Sequence, residues 1–406
     1  MTSARRDYDI VIVGAGMVGA TLAHALMETD LRVAMIEARM PERDWDTRST
    51  DLRVSAITPV TERIMTRLGV WDAISALGMS PFREMRVWDA DEAGEIRFDS
   101  ARVASPVLGH IIENRVVQRA LLESITDQGA VDMICPARVE HLSLSDADAH
   151  LVLNDGREIH AGLVVAADGG RSRVRALAGI GLHGWSYGHK AVVATVRPEL
   201  DHAETAWQRF LPTGPLAFLP LRDGQCSIVW STRPEHADHL LELGAEEFCA
   251  ELGAAFAHRL GVILEVGPRA GFPLNLRHAA QYVVGRLALV GDAAHTIHPL
   301  AGQGANLGIL DAVTLAEILC ETHLKGGDIA GPRGLRRYER WRRAENTRMI
   351  VAMEGFKRLF GASDSVLTSL RNLGLNLTNR CLPAKDLILQ YHLGRHGDLP
   401  QLARPS

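Results

Sequence analysis

The sequence predicts an α/β fold: a Rossmann-like unit interleaved with a mostly antiparallel β-sheet region, followed by C-terminal helices. Three observations lead there. The chain opens with a strand, a glycine turn, a helix and a second strand, the start of a βαβ unit. Two further short apolar runs, far along the chain, also end in Gly/Asp turns. The stretches between them show the two-residue alternation of half-buried antiparallel strands. A length of 406 residues with 47% hydrophobic and 23% charged residues suits a folded protein and excludes extensive disorder. Lys and Arg number 44 against 49 Asp and Glu, so the formal charge of −5 speaks against non-specific nucleic-acid binding, which needs a basic surface.

Each element follows from its local pattern. Tyr8–Val13 is apolar and β-branched, as in a strand buried on both faces. Gly14-Ala15-Gly16-Met17-Val18-Gly19 then opens a helix running to about Asp30, and Val33–Ile36 is a strand ending at Glu37. Arg48–Gly69 is a loop entering a helix whose first turn Pro59 fixes. Weak alternation between Phe82 and His110 indicates strands of another sheet, and Asn114–Thr126 returns to helical spacing. Val139–Leu153 alternates up to the turn Asn154-Asp155-Gly156. Leu163–Ala167 is a second buried strand, closed by Asp168-Gly169-Gly170. Strands at Val192–Val196, Leu216–Leu219 and Ser227–Trp230 make the antiparallel region, interrupted by a helix at about Glu246–Gly261. Leu287–Val290 is the third buried strand, ending at Gly291-Asp292. Beyond Gln303 the chain is helical, through Leu307–Glu321, Leu335–Phe360 and Val366–Asn379.

Gly14, Gly16 and Gly19 form a GxGxxG turn with a mechanism. The first glycine permits the tight turn, the second lets backbone approach a pyrophosphate, and the third lets helix and strand pack closely. The helix N-terminus offers free N–H groups to phosphate. Glu37 ends the next strand 18 residues after Gly19, where its carboxylate suits an unphosphorylated ribose. This points to a dinucleotide without separating NAD from FAD. A second constellation, Gly291-Asp292-Ala293-Ala294-His295-Thr296-Ile297-His298-Pro299 and then Gly302-Gln303-Gly304-Ala305-Asn306-Leu307-Gly308, places a carboxylate at a strand end and glycines before a helix. That helix N-terminus favours negative charge on a flat ligand.

Other chemistries find less support. The five cysteines, Cys135, Cys226, Cys249, Cys320 and Cys381, are scattered and include no CxxC, which indicates reduced thiols and a cytosolic protein. The uncharged 18 residues from Ile10 to Met27 are interrupted by glycines and lack a cleavage site, so they read as strand, turn and helix. His295 and His298 have no matching ligand cluster beside them, and no metal is expected; a hydrogen-bonded pair is the expectation. No Gly-x-Ser-x-Gly elbow suggests a serine nucleophile.

The initial GxGxxG, Asp168-Gly169 after a strand and Gly291-Asp292 after another resemble the three signatures of class A FAD-dependent aromatic hydroxylases, whose fold is that of p-hydroxybenzoate hydroxylase. The segment His298–Gly308 is similar to that of the ubiquinone-biosynthesis hydroxylases, the UbiH/UbiF/VisC (UbiI) group. The likeness extends through Leu52–Ile57, Leu108–Asn114 and Leu216–Leu221, covers nearly the whole chain, and falls nearest the members acting at ring position C5.

The resemblance implies an FAD-dependent monooxygenase that takes electrons from NAD(P)H and inserts oxygen from O2 into a polyprenylated phenol by way of a flavin C4a-hydroperoxide. It puts residues 1–75, 110–180 and 285–360 in a discontinuous FAD-binding domain, 76–109 and 181–284 in a substrate domain, and 361–406 in a C-terminal helical segment. It implies FAD contacts from Gly14, Ala15, Gly16, Met17, Val18, Gly19, Glu37, Arg53, Arg115, Asp168, Asp292, Pro299, Gly302, Gln303, Gly304, Ala305 and Asn306. Glu37 would take the adenosine ribose, Asp292 the ribityl chain, and Pro299–Asn306 the isoalloxazine; no acid–base residue is identified, and the Pro299 backbone is the one candidate beside the ring. Arg171, Arg173 and Arg175 read either as an attractor for a nicotinamide phosphate or, more commonly, as a solvated basic face. Leu216–Leu221 and Phe272–Leu274 read as walls of an apolar channel or as sheet core. The stripe Val366, Leu370, Leu373 and Leu377 reads as a docking face for membrane or partner, or as an internal packing face. A cytoplasmic enzyme, peripheral at the inner face of the membrane and associated with a biosynthetic complex, is the resulting expectation. Rival readings are hydroxylation at C1 or C6 or of another phenol, a flavin dehydrogenase, and a non-catalytic FAD-binding assembly protein.

Overall fold

The computed structural model describes residues 6–42, 44–45, 50–89, 95–297, 303–361 and 398–405. Four parallel pairings build the first sheet. β1 (Tyr8–Val13) lies between β2 (Val33–Ile36) and β11 (Glu158–Ala166); β8 (Val131–Ile134) extends it beyond β2, and β18 (Leu287–Leu289) beyond β11. The antiparallel β17 (Val283–Val284) closes one edge. β9 (Val139–Leu144) and β10 (Ala149–Leu153) add an antiparallel excursion through the first half of β11. Ile10, Val11, Ile12, Leu163, Val164 and Val165 are wholly buried, which is why these runs carry no alternation. α1 (Met17–Leu26) packs between α4 (Asn114–Gln128) and α8 (Gln303–Leu324).

The second sheet runs β19 (His295–Thr296), β16 (Ile263–Ala279), β12 (Leu182–Pro198), β15 (Cys226–Thr232), β14 (Gly214–Pro220), β13 (Thr205–Leu211), β5 (Glu84–Asp89) and β6 (Glu95–Asp99). One face packs Trp88, Phe218 and Trp230 against Phe248 and Phe256 of the segment carrying α6 (Pro234–Glu242) and α7 (Ala245–Ala255). The other face meets a three-stranded sheet of β3 (Val54–Ile57), β7 (Gly109–Glu113) and β4 (Ser80–Phe82). α2 (Pro59–Arg67), α3 (Trp71–Leu77), α5 (Arg173–Leu177) and α9 (Pro332–Gly361) complete the described helices. The turn at Gln401–Ala403 returns to α2 and α8, where Arg63 Nε donates to Ala403 O and Gln401 N–H to Glu317 Oε2.

Several expectations need correction. α1 stops at Leu26, not near Asp30, because the Thr29 hydroxyl and amide both take the Leu26 carbonyl. The helix expected at Glu246–Gly261 ends at Ala255, where Ala257 and His258 turn into the left-handed region. α6 was not anticipated from its polar sequence. Val192–Val196 belongs to a 17-residue strand whose alternation is broken at Ser186/His189, next to Gly184 and Gly188. Leu216 and Phe218 lie in the core against Phe256, with the Phe218 and Phe256 rings 3.9 Å apart, so these two are not channel walls. The stripe Val366–Leu377 and Cys381 lie outside the described residues. Cys135, Cys226, Cys249 and Cys320 are free thiols.

One buried carboxylate ties α8, α9 and the third Gly/Asp turn together. Asp311 Oδ2 accepts from the Gly291 amide at 3.1 Å and lies 2.5 Å from His295 Nε2, while Oδ1 accepts from Arg342 Nε at 2.7 Å and Asn346 Nδ2 at 3.1 Å. Burial alone would raise its pKa, but His295 and Arg342 hold it down at about 2. Asn346 passes the chain on to the Tyr282 hydroxyl, which His278 Nε2 meets at 2.8 Å; burial, with cationic neighbours, lowers His278 to about 4. Removing one partner of such a buried pair costs about 3–5 kcal/mol, so D311A should lose stability on that scale in urea unfolding. Because the Asp311 pKa is depressed, its contribution is full above pH 4 and lost as pH falls toward 2. The stability gap between wild type and D311N should therefore narrow over that window.

Candidate functional site

The first sheet delivers its candidate residues at one end. Gly14 follows β1, Glu37 follows β2, Asp168 lies two residues beyond β11 and Asp292 three beyond β18. All four stand at the carboxyl ends of adjacent parallel strands, on either side of β1, where the chain's winding reverses. Ligands of open α/β sheets bind in that crevice.

The three glycines of the first turn differ in what the protein requires of them. Gly14 has φ +110°, and a Cβ there would stand 2.4 Å from Ala167 O. A Cβ on Gly19 would stand 1.9 Å from Gly14 O. Both are demanded by the fold itself. Gly16 is different: a Cβ there would meet nothing within 4 Å. Its backbone faces open space as the N-cap of α1, without a side-chain cap. Glu37 Oε2 accepts from the Ala15 amide at 2.7 Å and Oε1 from the Arg39 amide at 3.1 Å, so the carboxylate is fixed beside the turn. On the other side Gln118 Nε2 holds Ala15 O at 2.7 Å.

Asp168 caps α5, its Oδ2 accepting from the amides of Arg173 and Val174 at 2.8 and 3.2 Å. Its Oδ1 is buried with no partner in the structure. Arg175, next on that helix, is buried and donates to Ala293 O at 2.8 Å and Gly170 O at 3.1 Å, which straps the second turn to the third. It is therefore neither a solvated residue nor free for a nicotinamide phosphate; Arg171 and Arg173 remain exposed.

Asp292 is open to solvent, yet surrounding protein desolvates it enough to raise its pKa, with His295 and Arg53 opposing the rise. A carboxylate with both properties lines a cleft. Arg53 stands near enough to act on it, and its own amide is held by Asp51 Oδ1 at 3.2 Å. Arg115 is packed more tightly: its guanidinium lies 2.7 Å from Glu113 Oε2 and 4.5 Å from the centre of the Trp45 ring. The third turn meets the first through Val18, whose side chain sits against both Gly291 and Gly308; a Cβ at either glycine would stand 3.1 or 2.7 Å from it.

Pro299 and Gly302 lie outside the described residues, as does His298. His295 Nε2 pairs with Asp311, and the expected pairing with His298 falls outside the described residues. Gln303, Gly304, Ala305 and Asn306 form the first turn of α8. The Asn306 side chain is spent on the protein: Oδ1 accepts from the Thr58 amide and the Thr61 hydroxyl, and Nδ2 donates to Ala56 O. Only its backbone is left for a ligand. Sequence reasoning missed Gln118 and Asp311 as site residues and the strap role of Arg175; Gln118 lies three residues after Arg115 and Arg175 within the basic trio, but neither pattern reveals its partner.

These donors fit a sugar-phosphate ligand: an open glycine backbone at a helix start, carboxylates at two strand ends, and an unsatisfied Asp168 oxygen between them. A family model described as an FAD binding domain matches residues 7–352. The chain is 39% identical over 386 residues to 3-demethoxyubiquinol 3-hydroxylase of Escherichia coli K12, covering 95% of this chain and 98% of that protein. It is 38% identical over 392 residues to ubiquinone hydroxylase UbiL of Rhodospirillum rubrum, covering 97% and 91%. With the Xenopus tropicalis mitochondrial ubiquinone biosynthesis monooxygenase COQ6 it shares 36% identity over 435 residues, 95% and 93% of the two chains. Among solved structures, p-nitrophenol 4-monooxygenase PnpA of Pseudomonas putida superposes with a TM-score of 0.79 at 21% identity, covering 97% and 100%. PqsL of Pseudomonas aeruginosa gives 0.74 at 23%, covering 91% and 99%. These two share the fold.

The glycines separate fold from ligand binding. G19A should destabilise the protein by about 1–3 kcal/mol through overpacking, read in urea unfolding. G16A should leave unfolding of the ligand-free protein unchanged and weaken FAD binding at least tenfold, read by fluorescence titration.

Proposed function

The chain belongs to the FAD-binding-domain family of flavoprotein monooxygenases, and on that premise we propose that it hydroxylates the aromatic ring of a polyprenylated phenol in ubiquinone biosynthesis, at C5. The observation that carries the reading is the convergence of Gly16, Glu37, Asp168 and Asp292 at one sheet end in a chain whose relatives are ubiquinone-pathway hydroxylases. The C5 position rests on Leu52–Ile57, Leu108–Asn114 and Leu216–Leu221. A second reading has its own support: the E. coli relative is named for position 3 of a demethoxyubiquinol.

FAD, once bound, supplies the redox chemistry that activates O2, with NAD(P)H as the proposed donor; overall, one oxygen atom enters the ring and the other leaves as water. The protein's own part is to bind, orient and keep dry. Glu37 would hold the adenosine ribose and the backbone at Gly16 the pyrophosphate. Asp292 would hold the ribityl chain, and the amides opening α8 would face the pole of the ring where negative charge develops. Leu276, Ile297, Leu307 and Ile350 cluster with Tyr187 beside the start of α8, an apolar surround suited to excluding water. The Tyr187 hydroxyl donates to Glu354 of α9, and burial with that carboxylate raises its pKa.

The division into domains at 1–75, 110–180 and 285–360 against 76–109 and 181–284 is supported by the first sheet drawing all its strands but the edge strand β17 from the former segments, and the second all but β19 from the latter. Among the described residues no helix is long and apolar enough to cross a membrane. Peripheral attachment at the membrane's inner face and membership of a biosynthetic complex complete the proposal; co-flotation with liposomes, with and without partner proteins, tests it.

Two experiments follow. Purified enzyme with FAD and NAD(P)H, given a prenylphenol or a demethoxyubiquinol, should yield a product 16 Da heavier whose ring-substitution pattern gives the position. Reduction of the flavin with no hydroxylated product from any ring substrate would favour a dehydrogenase, and bound FAD that is never reduced a non-catalytic role. D292A removes a charged hydrogen-bond partner worth about 1.5–3 kcal/mol and should lower FAD retention tenfold or more in the visible spectrum. Retention equal to wild type would remove Asp292 from the ribityl contact.

A further inference from the structure

We propose that the β10–β11 hairpin carries a binding site for a divalent transition metal of the zinc class, built from His150, Glu158 and His160. His150 and His160 are directly opposite across the antiparallel pair, and their rings stack with centroids 4.5 Å apart and planes 18° from parallel. Glu158, two residues before His160 and so on the same face, places Oε2 3.0 Å from His150 Nε2. One nitrogen or carboxylate oxygen from each of the three lies within 4.8 Å of the others. Donors bound to a tetrahedral zinc at ~2.0–2.1 Å stand about 3.3 Å apart. The His150–Glu158 pair, at 3.0 Å, is close to that spacing, and a small shift of the partly exposed His160 together with its Asp148 partner would bring the third donor into the same shell.

A second observation points the same way. Asp148 Oδ2 lies 2.8 Å from His160 Nδ1, and the Ser145 hydroxyl fixes the other Asp148 oxygen at 2.7 Å. A carboxylate on one ring nitrogen sets the tautomer of a ligating histidine and leaves the opposite nitrogen's lone pair for a metal. Two carboxylates and two neutral imidazoles sum to the charge that a divalent cation balances, with Arg6 as a competing cation near Asp148. Two imidazoles and a carboxylate suit zinc, nickel or copper better than magnesium or calcium. The bound ion would cross-link both strands of the hairpin, and β11 continues from it to Asp168. A second group of two histidines and a carboxylate, His236, His239 and Glu251, has its His236 Nδ1 engaged by the Thr232 hydroxyl and serves as a control.

The test is zinc titration of chelator-stripped, FAD-loaded protein against a competing indicator, with thermal unfolding in parallel. The site predicts one zinc per chain and a higher unfolding temperature with zinc. H150A and H160A should each weaken binding at least tenfold. D148N removes no ligand yet should weaken it about 10- to 100-fold through the lost second partner; H236A should not. FAD content should be equal in all variants. Absence of stoichiometric zinc, or affinity unchanged in H150A and H160A, would overturn the proposal.

Discussion

The site depends on three turns far apart in sequence packing closely together at their glycines. Gly14 lies against Ala167 and Asp168, Gly19 against Gly14, and Gly291 with Gly308 against Val18. Gly14 and Gly19 leave no room for a side-chain carbon, and one on Gly291 or Gly308 would have to displace Val18. Close-packed interiors transmit such constraints without slack, so the first, second and third Gly/Asp turns are fixed relative to one another by packing alone. Arg175, donating to Gly170 O and Ala293 O, and Asp311, accepting from the Gly291 amide, add directional restraint to the same junction.

This arrangement carries a cost that the fold meets locally. Burying Asp311, Arg342 and His295 withdraws charge from water, and the pairings among them offset that penalty. Among the described residues, His295 Nδ1 is the one buried polar atom of this network without a partner. Close to it, Asp292 stays open to solvent in a desolvating surround, the pair of properties on which its proposed ligand contact rests. The same contrast separates Gly16, whose lack of a side chain nothing in the protein requires, from Gly14 and Gly19.

Much of this was legible in the sequence because parallel strands buried on both faces appear as unbroken apolar runs. Tyr8–Val13, Val33–Ile36 and Leu287–Leu289 fall where those runs stand, followed in turn by the first glycine turn, Glu37 and the third Gly/Asp turn. The long strands β12 and β16 were less legible, since glycines and register breaks interrupt their alternation. Side-chain partnerships were least so. Asn306 looks like a cofactor contact in its motif but spends its amide on Ala56, Thr58 and Thr61, and Arg175 looks like surface charge but is a buried strap. Residue type and spacing do not encode which distant carbonyl a guanidinium reaches.

Hydrogen–deuterium exchange of the full chain with and without FAD tests the account most directly. A single ligand spanning the junction predicts simultaneous protection of amides at 14–19, 168–170, 291–296 and the opening turn of α8. Protection confined to the first glycine turn, with the third turn and α8 exchanging as before, would contradict it.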